Sequence, residues 1–485
     1  VLLVATLARA YALDRPWAFG DHNGWGGAFY SNIARNYLRY GYRATRLAPV
    51  VTTGEVPVER HVYYLTHPPL IGLSVSLAFR VFGETELSAR LVPLAFSVGS
   101  VALLYLIGSG LWSPAVGLLA ASFAALLPAG IVYGAHVDPQ GPPVTLFSLA
   151  MLEAYRRGNL AAALGALVVG AGFDWPVHYM AGLLAAHGLI LKKTGLTLIL
   201  PLASLVLVAG FFSYARWVAP RPEQNYLGVG AVESYSFWSG REVDPRRIPG
   251  HRLREPGAGE WLVRLGGYYR DLFTLPLLLA AASGLGVALA RREAGRPLLL
   301  LGWGALHVVL FPMGAYVHDY WSDYLSPGLA LSAALGGVAA YGWLARRVAP
   351  LVRRAAAAVA LGVLFSYWLF LGLGRIESSR QNEVKLGKTL NQLLAREEGL
   401  LSFLPLDARD AYYLDRPARD GVNRLVAFEQ ALADPLIDYR YFLVPRDFVA
   451  DRPGKPLFER LETGYARTPL DGFYLYDLQV PLPRP

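Results

Sequence analysis

The sequence predicts a polytopic α-helical membrane protein with about eleven transmembrane helices and a small α/β domain at its C-terminal end. Of the 485 residues, 54% are hydrophobic and only 17% are charged, and the mean hydropathy is +0.34. Soluble domains carry about 25% charged residues. Apolar runs recur about every 20–25 residues, the length that crosses a hydrocarbon layer of about 30 Å. The net charge of +9 gathers in short loops between those runs, so it argues for bilayer orientation rather than nucleic-acid binding. There is no cysteine, which excludes disulfides, thiolate metal sites and cysteine nucleophiles.

The chain opens on Val1–Leu13, an apolar run that upstream residues would complete into a span. A polar outer loop, 14–67, follows. Within it Gly20-Asp21-His22-Asn23-Gly24-Trp25-Gly26-Gly27 reads as a glycine-rich loop, since glycine lets a ligand approach the backbone closely. Phe29–Tyr40 has the apolar spacing of an amphipathic helix. Pro68–Phe82 opens on two prolines and is short for a span, so a re-entrant or surface-lying helix is expected. Further spans are Leu91–Leu111, Val116–Val132, Val144–Tyr155, Leu160–Phe173, Val177–Leu191, Leu196–Phe212, Leu272–Ala290, Pro297–Pro312, Leu325–Leu344 and Ala355–Leu373. An outer loop is expected at 217–271. Residues 1–374 then form the membrane domain and 375–485 the α/β domain. In the latter, Val384–Glu397 reads as a helix, and Tyr441–Val444 and Phe473–Tyr476 read as strands.

Orientation follows from Arg156-Arg157, Lys192-Lys193, Arg291-Arg292 with Arg296, and Arg346-Arg347 with Arg353-Arg354. These eleven basic residues have one acid among them, Glu293. The positive-inside rule puts all four loops, and with them the N-terminus, in the cytoplasm of a plasma (inner) membrane. Eleven crossings then leave the C-terminal domain outside.

Counted on that frame, seven of the nine histidines fall at the outer face: His22, His61, His67, His136, His178, His251 and His318. Several have acids nearby, as in Asp21-His22, His136-Val137-Asp138, Asp174 before His178, and His318-Asp319. Ionisable groups at a membrane edge are costly unless solvated or paired, so a one-sided set points to a site. Asp21 and Asp138 are the candidate catalytic acids, with His22 beside the first. His67, Arg90 and His318 could bind a phosphate. His136 and Asp138, two apart, can share a divalent cation. Trp25, Asp174, Trp175, Tyr320 and Trp321 could line a sugar cavity.

Taken in order, these elements resemble the GT-C glycosyltransferases, and within them a prokaryotic branch of the glycosyltransferase 39-like group. His67-Pro68-Pro69-Leu70 is similar to the Pro-Pro-Leu element of protein O-mannosyltransferases and the lipid A aminoarabinose transferase. Phe82-Gly83 with Arg90 follows. Trp112-Ser113-Pro114, Gly117–Ala121, Pro128 and Asp138 are similar to a helix and second outer loop of oligosaccharyltransferase catalytic subunits. The first outer loop departs from the mannosyltransferase pattern, with His22 where a second acid usually stands. The resemblance implies transfer of a sugar from a polyprenyl-phosphate donor to a hydroxyl-bearing acceptor, with Asp21 as general base and inversion at C1. Two readings from other classes stay open. A lipid or solute transporter would show ionisable residues at mid-membrane, where His307 stands alone; a non-catalytic scaffold would not need the one-sided set.

Overall fold

The computed structural model describes residues 1–18, 22–191, 194–221, 224–225, 256–293, 295–380, 384–395, 397–450 and 456–481. Asp21, Lys192-Lys193, His251 and most of the expected 217–271 loop lie outside them. The chain divides into two compact units.

The first unit comprises residues 1–15, 65–220 and 227–381 and is built of helices. Glu86–Leu111 is 26 residues long, about 39 Å at 1.5 Å per residue, and so exceeds a bilayer core. Thr85 caps it by accepting a hydrogen bond from the Ser88 amide. Leu198–Val218, Ala258–Ala290, Asp319–Leu344 and Pro350–Ser379 are likewise long and apolar enough to cross a membrane. Leu202, Leu205, Val359, Val363 and Phe370 are exposed on these helices. Apolar surface on that scale suits lipid. The expected span Val116–Val132 is broken. Pro114–Leu126 ends, Leu127 turns extended (φ −54°, ψ 135°), and Pro128 opens a second helix to Tyr133. Proline lacks the amide a continuous helix needs and fits only its first turn. The expected span from Leu272 is the second limb of Ala258–Ala290, which kinks at Thr274 two residues before Pro276. The close packing of Ala258–Ala290 on Ser326–Leu344 depends on two glycines. A Cβ at Gly284 would lie 1.7 Å from the Ser332 carbonyl oxygen, and one at Gly336 would lie 2.6 Å from that of Ala280.

Two of the basic loops meet the 110–112 turn of this unit. Arg156 and Arg296 donate to the carbonyls of Gly110 and Leu111, and the Trp112 indole donates to Glu293 at 2.7 Å. Glu153 pairs with both Arg156 and Arg157. The helices Pro142–Arg156, Leu160–Ala171 and Pro176–Ile190 follow one another through short turns, which separates Asp138 and Asp174 from the arginines.

The second unit is discontinuous: residues 16–64, 221–226 and 382–485. The expected 375–485 domain therefore lacks its N-terminal third, and the Pro350–Arg380 helix runs past the expected boundary. The reason is a set of polar contacts that periodicity does not reveal. Arg39 pairs with Asp415 at 2.7 Å, Arg35 donates to the Tyr412 carbonyl and stacks on its ring, and Arg409 donates to the Ala18 carbonyl. At the centre is a five-stranded sheet of order β2-β1-β3-β5-β4, from β1 (Gly399–Ser402), β2 (Ala418–Arg419), β3 (Tyr439–Pro445), β4 (Tyr465–Leu470) and β5 (Phe473–Pro481). The first three strands are parallel and the last two antiparallel to their neighbours. Successive side chains alternate between faces. Leu401, Phe442 and Tyr476 join one core and Leu400, Leu443 and Leu475 the other. Both expected strands are present, and the expected Val384–Glu397 helix is shorter, Leu386–Leu393.

Asp410 is buried beneath that helix, where its carboxylate accepts from the Gly387 amide at 2.9 Å. Burial pushes its pKa up to about 6. A carboxyl with a raised folded pKa favours the fold below its unfolded value near 3.9 and loses that contribution as pH rises toward 6. Asp410→Asn keeps the acceptor and removes the buried charge. It should raise stability at pH 7.5 by about 2–3 kcal/mol and flatten the decline between pH 4 and 6, read by thermal unfolding across pH.

Candidate active site

The centre of the candidate site is an ion pair between two turns that are far apart in sequence. His67 Nδ1 donates to Asp174 Oδ1 at 2.7 Å, with the two side chains 13% and 0% exposed. The same turns are joined twice more. The Leu70 amide donates to the Gly172 carbonyl, and the Trp175 indole donates to the Thr66 carbonyl at 3.0 Å. Pro69 and Pro176 start the two helices that leave this junction, Leu70–Phe82 and Pro176–Ile190. Burial disfavours the His67 cation, but the charge and hydrogen bond of Asp174, with the charge of Asp138, outweigh it and raise the pKa. The pair fixes the ring so that protonated His67 offers Nε2–H as its second donor.

Asp138 and His136 occupy the neighbouring turn, both buried. Asp138 Oδ1 accepts from the Gln140 amide at 2.8 Å, and His136 sits edge-on to Tyr320 at 5.0 Å. His318 lies against Tyr320 and Trp321, each at 5.3 Å. Asp319 beside it pairs with Arg375. The structure thus brings His67, Asp138 and Asp174 together, and His136 with His318 around Tyr320.

Other expected site residues have different surroundings. Tyr320 and Trp321, expected to line a sugar cavity, are 5% and 4% exposed. Trp321 packs into the notch left by Gly314, where a Cβ would fall 1.7 Å from its ring. Arg90 is buried and donates through Nη1 to the carbonyls of Leu13 and Arg15, so it holds backbone at the end of the first segment. Trp175 stacks on Phe212 at 5.8 Å while tying down Thr66.

In the second unit, His22 begins a helix that runs to Tyr40, so the expected glycine-rich loop is helical from that residue. Its glycines serve packing within the unit. A Cβ at Gly24 would meet the Ala18 carbonyl at 2.2 Å, and one at Gly27 the Trp17 ring at 2.1 Å. His22, Trp25 and Phe29 stack in a row along this helix. Asp21 lies outside the described residues.

Two features of the first unit were not read from sequence. Arg9 is buried and donates to Ser97 Oγ and to the carbonyls of Ala124 and Ala125, which end the Pro114–Leu126 helix. His307 is enclosed by Tyr179, Phe311, Trp321 and Tyr324 at 4.6–6.0 Å, and neither ring nitrogen has a hydrogen-bond partner among the described residues. The aromatic run 320–324 was the available signal for the second. The first carried none beyond a basic residue in an apolar run.

Residues 66–221 match the family model of dolichyl-phosphate-mannose-protein mannosyltransferases. No curated protein matches the chain by sequence. Among solved structures, ArnT from Cupriavidus metallidurans bound to undecaprenyl phosphate superposes with a TM-score of 0.62 at 15% identity, covering 98% of this chain and 96% of that one. Its apo form gives 0.60 at 14%, with 100% and 97% covered. The Archaeoglobus fulgidus oligosaccharyltransferase in its apo form gives 0.54 at 13%, with 99% and 74% covered. The chain shares the fold of these solved structures. The matched stretch begins at residue 66 and contains His67, Asp138 and Asp174, so the buried ion pair lies wholly within it.

His67→Ala leaves Asp174 as an unpaired buried charge and should lower stability by about 3–5 kcal/mol, measured by thermal unfolding in nanodiscs. Adding Asp174→Ala should recover part of that loss. Because the folded pKa of His67 is raised, its ionic contribution is fully present below about pH 6.5. It is lost as pH rises through the raised value, so the gap between wild type and His67→Ala should narrow toward alkaline pH.

Proposed function

We propose that this chain is an inverting glycosyltransferase that moves a sugar from a polyprenyl-phosphate donor to a hydroxyl-bearing protein, lipid or glycan acceptor. The observation that carries the reading is the buried His67–Asp174 pair, with Asp138 beside it, inside the stretch that matches the mannosyltransferase model. The similar folds solved with undecaprenyl phosphate and dolichol-phosphate support a lipid-linked donor. On this reading eleven helices cross the plasma membrane, the N-terminus is cytoplasmic, and the His67 end of the first unit and the sheet unit face outward.

Asp21 takes the proton of the acceptor hydroxyl as its oxygen attacks C1, and the polyprenyl phosphate leaves from the opposite face. The leaving phosphate needs compensating positive charge. His67 is the first candidate, since Asp174 both orients its ring and favours the imidazolium. His318, at the next turn, is the second. Arg90 contributes by fixing the backbone of Leu13 and Arg15. His136 and Asp138 would supply one nitrogen and one oxygen to a divalent cation, which would add positive charge near the phosphate.

Asp21→Asn should lower transfer by about 10²–10⁴-fold while donor binding is retained. The assay uses purified protein in nanodiscs with radiolabelled polyprenyl-phosphate sugars. Wild-type turnover by that variant overturns the role of Asp21, and no transfer by the wild type with any such donor overturns the reading.

A further inference from the structure

The second unit contains a cleft of about 170 Å³ between the His22–Tyr40 helix, the 51–53 segment and the 406–420 segment. One water needs only about 10–15 Å³ by this measure, so the cleft has room for a ring-sized ligand. One wall is aromatic: Trp25 and Phe29 lie 5.0 Å apart with planes 11° from parallel. Val51, Val62, Leu406, Ala408, Ala411 and Ala418 add aliphatic surface, and the polar groups are Asn32, Thr52 and Thr53, with Asp420 exposed at the rim.

Asn32 is the informative residue. It is 5% exposed, and its Nδ2 donates to the carbonyls of Val51 and Thr52, which fixes the amide. Its Oδ1 has no hydrogen-bond partner among the described residues. Asn36, one turn further on, makes the same kind of donations, to Val50 and Thr52, but its Oδ1 accepts from Arg39. A buried amide oxygen without a donor costs free energy unless something supplies one. Asp420 accepts from the Leu406 amide at 3.1 Å, which holds its carboxylate at the rim. Among the described residues no Lys, Arg or His lines the cleft, and the one charged group is negative. A phosphate or other anion is therefore disfavoured, and an acyl chain would leave the buried Asn32 amide oxygen without a donor. An apolar C–H face against the aromatic wall, with hydroxyls donating to an amide oxygen and a carboxylate, is the chemistry of a saccharide ring.

We propose that this cleft binds a sugar ring of the acceptor, which makes the acceptor a glycan or glycolipid. The assignment of the sugar to the acceptor rests on the glycosyltransferase reading; the saccharide site itself rests on the cleft.

The test uses the full chain in nanodiscs, because maltoside detergents would themselves occupy a sugar site. Mannotriose, cellotriose and chitotriose are the probes, followed by saturation-transfer difference NMR without donor. At least one trisaccharide should bind, and Trp25→Ala and Asp420→Asn should each weaken it about tenfold or more. Asp420→Asn keeps the acceptor for the Leu406 amide, so it reads binding rather than folding. In the transfer assay both variants should raise KM for a glycan acceptor while KM for the donor stays the same. No saturation transfer from any of the three, or equal binding by wild type and both variants, overturns the site. A chain that binds a trisaccharide through these residues yet transfers no sugar keeps the site and overturns the transferase reading. One that transfers sugar without binding a trisaccharide does the reverse.

Discussion

The first unit depends at its polar end on one buried ion pair, His67 with Asp174. Two charges taken out of water lose several kcal/mol of hydration each, and their attraction offsets this only when the geometry is good. Here the 2.7 Å contact comes with two backbone–directed hydrogen bonds, Leu70 to Gly172 and Trp175 to Thr66. The benefit is therefore placement more than net stability. A short helix opened by prolines is held against the turn that starts Pro176–Ile190, and one imidazole is fixed in rotation and charge. Protonation and position are set by the same carboxylate.

Further inside the unit, buried arginines do similar work on the backbone. Arg9 supplies donors to carbonyls left over where Pro128 breaks a helix, and Arg90 does the same for Leu13 and Arg15. Water would satisfy such carbonyls in a soluble protein. Next to hydrocarbon it cannot, so irregular backbone is tolerated only where protein groups take its place. That constraint explains why these basic residues sit within apolar sequence, and why Arg90 is engaged by backbone rather than standing open to solvent.

Much of the first unit was legible in the sequence because bilayer thickness and loop charge are strong, local signals. The runs from Leu91 to Leu373 became helices, and two of the basic loops came together at the 110–112 turn, as Arg156 on Gly110, Arg296 on Leu111 and Trp112 on Glu293 show. The polar partners at the other end were legible as residues but not as pairs. Nothing in 107 residues of separation announces that His67 meets Asp174 rather than bilayer or solvent. Glycine misled for a physical reason: Gly24 and Gly27 are small because Ala18 and Trp17 press on them, and a close-packed helix has the same composition as a ligand-binding loop. The second unit escaped because it is assembled through pairs 376 to 391 residues apart, Arg39–Asp415, Arg35–Tyr412 and Arg409–Ala18. Each of these is an ordinary surface-type residue when read alone.

That discontinuity bears on how a catalytic residue at position 21 would be held. The residue that follows it, His22, is the first of a nineteen-residue helix whose buried face includes Asn23, Ala28, Ile33 and Tyr37. The helix is fixed by Asn32 and Asn36 to the 50–52 backbone and by Arg35 and Arg39 to the 412–415 turn. Groups anchored to a rigid element keep their geometry better than groups in a free loop. The same helix carries Trp25, Phe29 and Asn32 on the wall of the cleft, within three turns of His22. An acceptor ring bound along it would meet side chains whose spacing is set by helix geometry rather than by loop closure. This is a physical reason for residues 22–64 to fold with the sheet unit: both walls of the cleft then belong to one unit.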